Sequence, residues 1–192
     1  MKLLALDIGG VCLRLTPERV YQKFGFDATN LPAAWPQIFK DYSIGKIGSW
    51  QFGKAIQAIL GHQMTVAEIH DVWLLFLSTE MLETTRLLEA MWERGWHIVF
   101  FSDTQPWHIE GLRDILSYSK RIPDAIYSCD VGAEKPDDAM FKAFEERYGK
   151  PDLYLDDRLC NIKGGIRNGW NAVLFTATTA DELLATPSIM NA

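Results

Sequence analysis

The chain has 192 residues, 48% of them hydrophobic, with seven tryptophans and a formal net charge of −6. That much apolar mass suits one domain, or one domain carrying an insertion, and excludes a disordered or disulfide-dependent chain. The acidic balance, without any long basic cluster, excludes nucleic acid or an anionic membrane as the main partner; a small phosphorylated metabolite held by local charge stays open.

The N-terminus starts like an export signal, Met1-Lys2 followed by Leu-Leu-Ala-Leu, but Asp7 stops the apolar run almost at once. The later apolar stretch at residues 72–77 is too short to cross a bilayer, so the expectation is a cytoplasmic protein, monomer or homodimer. Cys12, Cys129 and Cys160 are odd in number and lack C-x-x-C spacing. They read as small buried hydrophobes in a reducing compartment.

Residues 3–6 form the first short apolar run and read as a strand ending in Asp7, followed by Gly9 and Gly10. The interval to the next run is too long for a single crossover helix and reads as helical throughout. Thr16-Pro17 starts one helix, Ser49 caps a second, and Thr65 with Glu68 makes a capping box for a third. The expectation is a small helical cap at residues 15–78 inserted into a core of residues 1–14 and 79–192. Residues 80–94 then carry a helix with apolar positions at 81, 82, 87, 88, 91 and 92, ended by Gly95. Strands follow at 97–101, 125–127, 153–155 and 172–175. Between them lie a helix opened by Pro136 and closed by Gly149, and another bearing Ile162 and Ile166 that ends at Asn168-Gly169. This alternation predicts an α/β fold, a doubly wound, Rossmann-like parallel sheet covered on both faces.

Ligands of such sheets bind beyond the carboxyl ends of the strands. There the sequence puts Asp7, then Ser102-Asp103-Thr104, then Glu134-Lys135-Pro136, then Asp156-Asp157. Taken singly, these are ordinary turn residues, helix caps and a solvated lysine. Taken together, they crowd carboxylates that repel by about 4 kcal/mol per pair at ~4 Å and an effective dielectric near 20. Oxygen ligands without a histidine or thiolate favour Mg²⁺ as the neutralising cation. Gly9 and Gly10 let the backbone turn past the carboxylate and offer a carbonyl to a metal or an N–H to a phosphate. Trp107, five residues after Ser102, is the tryptophan nearest the crevice, as a stacking surface or as core; the other tryptophans read as core or cap. His62, His70, His97 and His108 have no metal-ligand spacing.

The stretches "LALDIGGV", "IVFFSDT", "GAEKPD" and "LYLDDRLCNIKGGIRNGW" resemble the four motifs of the haloacid dehalogenase-like hydrolases, in order and across the whole core. The "DxGGV" opening and the "DDxxxN" of the last motif look most like a bacterial subgroup that includes glucose-1-phosphate phosphatases. The resemblance implies a Mg²⁺-dependent phosphatase with Asp7 as nucleophile, forming an aspartyl-phosphate, and with Ser102 and Lys135 as its catalytic partners. It implies Mg²⁺ on Asp7, the Gly9 carbonyl and Asp157, with Asp156 beside it or acting through water. Gly10, Asp103 and Trp107 are the candidate substrate contacts, and Asn161 a candidate for orienting the last loop. One departure stands out. Most phosphatases of this superfamily carry a second aspartate where this chain has Gly9, and that residue serves as general acid and base. Three outcomes are open: a substrate with a better leaving group, a substitute such as Asp103 or His108, or a weakly active or non-catalytic phosphate-binding protein. The rival enzyme is a 2-haloacid dehalogenase, which also lacks the second aspartate, but Asp156-Asp157 would burden it.

Overall fold

A computed structural model of the protein describes residues 1–190. Five strands form a wholly parallel sheet: β1 (Leu3–Leu6), β4 (His97–Ser102), β5 (Ala125–Tyr127), β6 (Leu153–Asp156) and β7 (Ala172–Leu174). Their order across the sheet is β5-β4-β1-β6-β7. β1 is central, with Leu3 opposite His97 on one side and Leu4 opposite Leu153 on the other. The predicted doubly wound α/β sheet is therefore what the chain forms.

Successive strand residues point to opposite faces, so the sheet feeds two cores. On one face Leu4, Leu6, Ile98 and Phe100 pack with helices α5 (Leu82–Glu93), α6 (Pro106–Ile115) and α10 (Thr179–Leu184). On the other, Leu3, Ala5, Val99 and Phe101 pack with α8 (Asp138–Tyr148) and α9 (Leu159–Arg167), and with Trp170. The remaining helices are a turn at α7 (Ser128–Val131) and another at α11 (Pro187–Met190). The apolar alternation of β1 is thus answered by helices on both sides, which explains why all four of its residues are buried.

Two short strands missed in the sequence, β2 (Leu13–Leu15) and β3 (Leu77–Glu80), pair antiparallel where the chain leaves and re-enters the core. Between them lie four helices, one more than the helix-start signals indicate: α1 (Pro17–Phe24), α2 (Trp35–Ser43), α3 (Ser49–Ile59) and α4 (Val66–Leu74). They enclose a third apolar cluster that includes Val20, Trp35, Tyr42, Phe52 and Trp73. The α4 capping box forms as read, with the Thr65 amide donating to Glu68 Oε2 at 2.7 Å. Ser49 does not cap α3; Gly48 holds that position, and the Ser49 hydroxyl meets the Tyr42 hydroxyl at 3.0 Å. Pro136 precedes α8 rather than opening it, because Asp137 is the cap and accepts from the Ala139 amide. The cysteines also differ from expectation: Cys12 is buried, but Cys129 is only half-buried and Cys160 is exposed. Among the described residues, no helix is long and apolar enough to cross a membrane.

Candidate active site

Parallel strands bring their carboxyl ends to one edge. Asp7 continues β1, its amide donating to the Leu155 carbonyl at 3.0 Å, and Asp156 closes β6 next to it. Ser102 closes β4 on the other side of β1, and Lys135 enters from the loop ahead of α8. The Lys135 ammonium sits at the centre, 3.0 Å from Asp7 Oδ1, 2.7 Å from Asp156 Oδ2 and 2.7 Å from the Phe101 carbonyl. Its side chain is 1% exposed. Burial alone would drive this lysine towards neutrality. The carboxylates of Asp7, Asp156 and Asp103 reverse that effect and hold its pKa above the ordinary lysine value. Burial in turn lifts the Asp7 carboxyl to about 7 against the pull of Lys135, with Asp156 adding to the rise.

Asp156 is the structural pivot. Its Oδ1 accepts from the Arg158 amide at 2.8 Å and the Asn161 amide group at 3.0 Å. Its Oδ2 accepts from Lys135 and from the Tyr154 hydroxyl at 2.6 Å. These donors occupy both oxygens. Asn161 does orient this loop, through the carboxylate itself. Asp157 has no such set of donors; burial and the neighbouring Asp156 raise its pKa. Asp7, Asp156 and Asp157 each offer an oxygen within 4.8 Å of the others, a donor set suited to a hard divalent cation.

The two glycines have separate reasons to be glycine. Gly10 has φ +74°, and a Cβ there would lie 2.2 Å from Asp157 Oδ2, so the third carboxylate fits only because the position is bare. At Gly9 a Cβ would lie 2.8 Å from Leu15 Cδ1. That atom is the end of a flexible, exposed side chain, so a residue larger than glycine there would have to push Leu15 aside.

Above this edge, between the sheet and the α1–α4 unit, lies a cavity of about 290 Å³. Ser102, Asp103 and Lys135 line it from the core, and Phe39 and Ser43 from α2. Asp103 accepts from the Lys135 amide at 2.9 Å and keeps a raised pKa, chiefly from burial. Glu134, named at this edge from the sequence, also lines the cavity, whereas Gln105, Arg158 and Leu15 are among the lining residues that sequence reasoning missed. The only sequence signal for Gln105 is its place just after the Ser102 motif. His108 also lines the cavity, buried, with burial pushing its pKa down to about 3.

Trp107 is a correction. It was a candidate substrate contact, but its ring packs edge-on against Tyr42 and Phe52, at 5.9 and 5.6 Å, inside the third apolar cluster. Gln105, the N-cap of α6, and His108 in its first turn line the cavity, while Trp107 between them packs into the α1–α4 unit. Its amide donates to the Tyr42 hydroxyl at 3.1 Å, and Ser128 donates to the Ser43 carbonyl at 2.7 Å, so the end of α2 is tied to the core at the cavity wall.

No protein-family model and no curated protein sequence matches the chain. Solved structures do. A HAD family enzyme of Bacteroides thetaiotaomicron superposes with a TM-score of 0.80 at 22% identity, covering 92% of this chain and 94% of that one. The same enzyme has been crystallised with magnesium and inorganic phosphate. A HAD-like family hydrolase of Porphyromonas gingivalis gives 0.77 at 18% identity over 97% and 98% of the two chains. The L-2-haloacid dehalogenase of Xanthobacter autotrophicus, with chloropropionic acid covalently bound, gives 0.61 at 14% identity over 99% and 86%. The chain therefore has the α/β fold of the HAD enzymes.

Proposed function

We propose that the protein is a haloacid dehalogenase-like phosphatase, a Mg²⁺-dependent hydrolase of a small phosphorylated metabolite. One observation carries the reading: a buried ammonium pairs with Asp7 at 3.0 Å and Asp156 at 2.7 Å, Asp157 completes a three-carboxylate cluster, and Lys135 itself lines the cavity. The magnesium and phosphate bound by the Bacteroides enzyme support it.

On this reading Asp7 attacks phosphorus, and the bond to the ester oxygen breaks with its electron pair going to the leaving group. Water then attacks the aspartyl-phosphate, releasing inorganic phosphate and restoring the carboxylate. Lys135 holds Asp7 in place and offsets the repulsion between two approaching anions, while Ser102 donates a hydrogen bond to the transferring group. Mg²⁺, held by Asp7, the Gly9 carbonyl and Asp157, with Asp156 acting through water, would supply charge neutralisation between nucleophile and phosphate. Gly10 keeps room for Asp157, and Asp103 borders the substrate. The α1–α4 unit, residues 15–78 with the ends of the hairpin, acts as the cap that encloses the leaving group.

No acid stands at Gly9, where the end of the Leu15 side chain lies close by. His108 does not replace it, because burial keeps the ring unprotonated near neutral pH. Asp103, in the cavity with a raised pKa, is the remaining candidate donor. A substrate that departs without much help, such as a sugar 1-phosphate or an acyl phosphate, suits this site, in line with the glucose-1-phosphate phosphatase motifs.

Gly9 also favours the dehalogenase reading, in which halide leaves without an acid. Against it, the Asp7–Asp156–Asp157 carboxylate cluster would be a burden to a reaction that uses no divalent cation. A phosphate-release screen over sugar phosphates, nucleotides, acyl phosphates and an aryl phosphate separates the cases. Metal-dependent release, abolished by Asp7→Asn, supports the phosphatase. Turnover of 2-chloropropionate in chelator overturns it in favour of the dehalogenase. Silence on every substrate, with Mg²⁺ still bound, overturns it in favour of a phosphate-binding protein.

A further inference from the structure

Two cavities adjoin the carboxyl edge of the sheet, and one side chain belongs to the wall of both. The cavity that holds Ser102 and Lys135 measures about 290 Å³ and takes Gly9, Leu15 and Arg158 into its wall. The second measures about 650 Å³ and takes the chain neighbours Gly10 and Asp157, and again Leu15. Small-molecule sites usually enclose about 300–1,000 Å³. The first cavity is therefore at the lower limit for a phosphoryl group together with its leaving group, and joining the second to it would bring it well inside that range.

The size limit is set by whichever wall can yield. The cap side is pinned by buried contacts: Gln105 Nε2 donates to Ser43 Oγ at 2.9 Å, the Ser128 hydroxyl donates to the Ser43 carbonyl at 2.7 Å, and Trp73 stacks on His108 at 5.2 Å. Leu15 differs. It is 43% exposed, belongs to none of the three apolar clusters, and stands at the end of β2, where the pairing with β3 changes register. Such a side chain can be trimmed or enlarged without disturbing a core.

The second cavity has its own chemistry. Arg14 and Ser78 line it. Among the described residues neither side chain makes a hydrogen bond or an ion pair, and the Arg14 guanidinium does not pair even with Glu83 of the same wall. An uncommitted guanidinium in a concave site suits a phosphate or carboxylate, which it grips with two parallel N–H donors.

We propose that Leu15 is a specificity-determining residue: it limits the size of the leaving group by separating the reaction cavity from a second subsite, in which Arg14 takes a second anionic group. The inference rests on the phosphatase reading and adds to it the residue that sets the size limit.

The test compares kcat/KM, with Mg²⁺ present, for p-nitrophenyl phosphate, the larger 4-methylumbelliferyl phosphate, adenosine 5′-monophosphate and adenosine 3′,5′-bisphosphate. The wild type is expected to prefer p-nitrophenyl phosphate over the three larger esters. Leu15→Ala is expected to raise each large-to-small ratio roughly tenfold, mainly through KM and most for the bisphosphate, and Leu15→Phe to lower the ratios. Arg14→Met added to Leu15→Ala should remove the advantage of the bisphosphate over the monophosphate. Ratios that stay constant in both Leu15 variants overturn the proposal while leaving the phosphatase reading intact. A bisphosphate advantage that survives Arg14→Met overturns the second subsite. Absence of all phosphate release, p-nitrophenyl phosphate included, overturns the phosphatase reading and the proposal with it. Circular dichroism of each variant separates loss of fold from a change of selectivity.

Discussion

The two walls of the cavity are built on opposite principles. At the sheet edge the two pivotal charges are answered: the Lys135 ammonium has two carboxylates and a carbonyl, and Asp156 has donors at both oxygens. On the α6 side Gln105 Oε1 and His108 Nε2 are left without partners. A saturated network holds one geometry, which is what a reaction centre needs. Buried polar atoms left unpaired are costly and rare, and they set this wall apart from the saturated edge.

Lys135→Met breaks the saturated side most severely. It leaves Asp7 and Asp156 buried without their shared cation, and the expected cost is about 3–5 kcal/mol of stability, read from urea unfolding. Phosphatase activity should fall with it by 10² or more even in the folded fraction. A variant as stable as wild type would mean that the ammonium does not hold the edge together.

Next in size is Gly10→Ala. The methyl group would occupy the space of Asp157 Oδ2, and φ +74° strains any side chain there. The Mg²⁺ concentration for half-maximal activity is expected to rise roughly ten- to hundredfold. An unchanged metal titration would remove Asp157 from the cation site.

A smaller, constructive change sharpens the contrast at Gly9. Gly9→Asp alone has to displace the end of Leu15, which its Cβ would meet at 2.8 Å, so it should gain only part of the effect of an acid. Combined with Leu15→Ala it regains the space for an acid, and turnover of a poor leaving group such as an alkyl phosphate should exceed that of either single variant. Equal rates for all three would mean that the missing acid does not limit the reaction.

The smallest effect belongs to the α6 wall. His108 takes up a proton in the unfolded chain near pH 6.5 but in the folded protein only near 3. Between those values the unfolded state binds more protons, so stability falls as pH drops below about 6.5, and this loss levels off near 3. In His108→Leu the urea midpoint should change less between pH 7.5 and pH 5 than in the wild type. An identical change in both would show that the ring titrates freely.

Much of the reaction wall was legible before any coordinates, because it is made by rules that act along the chain. Short apolar runs bounded by polar residues gave five strands, and a parallel sheet must bring their carboxyl ends together, so Asp7, Ser102, Lys135 and Asp156 converge. The α6 wall was not legible. An unsatisfied acceptor leaves no pattern in a sequence, and Gln105 differs from Trp107 only in the face of α6 it occupies. The β2–β3 pair escaped because Arg14 and Ser78-Thr79 interrupt these segments, whereas the sheet strands that were read are mostly unbroken apolar runs. Nearness to Ser102 in sequence says nothing of direction, so the sequence left Trp107 between a stacking surface and core; the third apolar cluster claims its ring.

The most direct measurement is trapping of the covalent intermediate. The enzyme, mixed with a phosphate ester labelled on phosphorus and quenched in acid within milliseconds, is digested and the label located. The expected result is Mg²⁺-dependent label on the peptide containing Asp7, removed by hydroxylamine as an acyl phosphate should be and absent in Asp7→Asn. Label on another residue, or ester hydrolysis that continues undiminished in Asp7→Asn, would contradict the account.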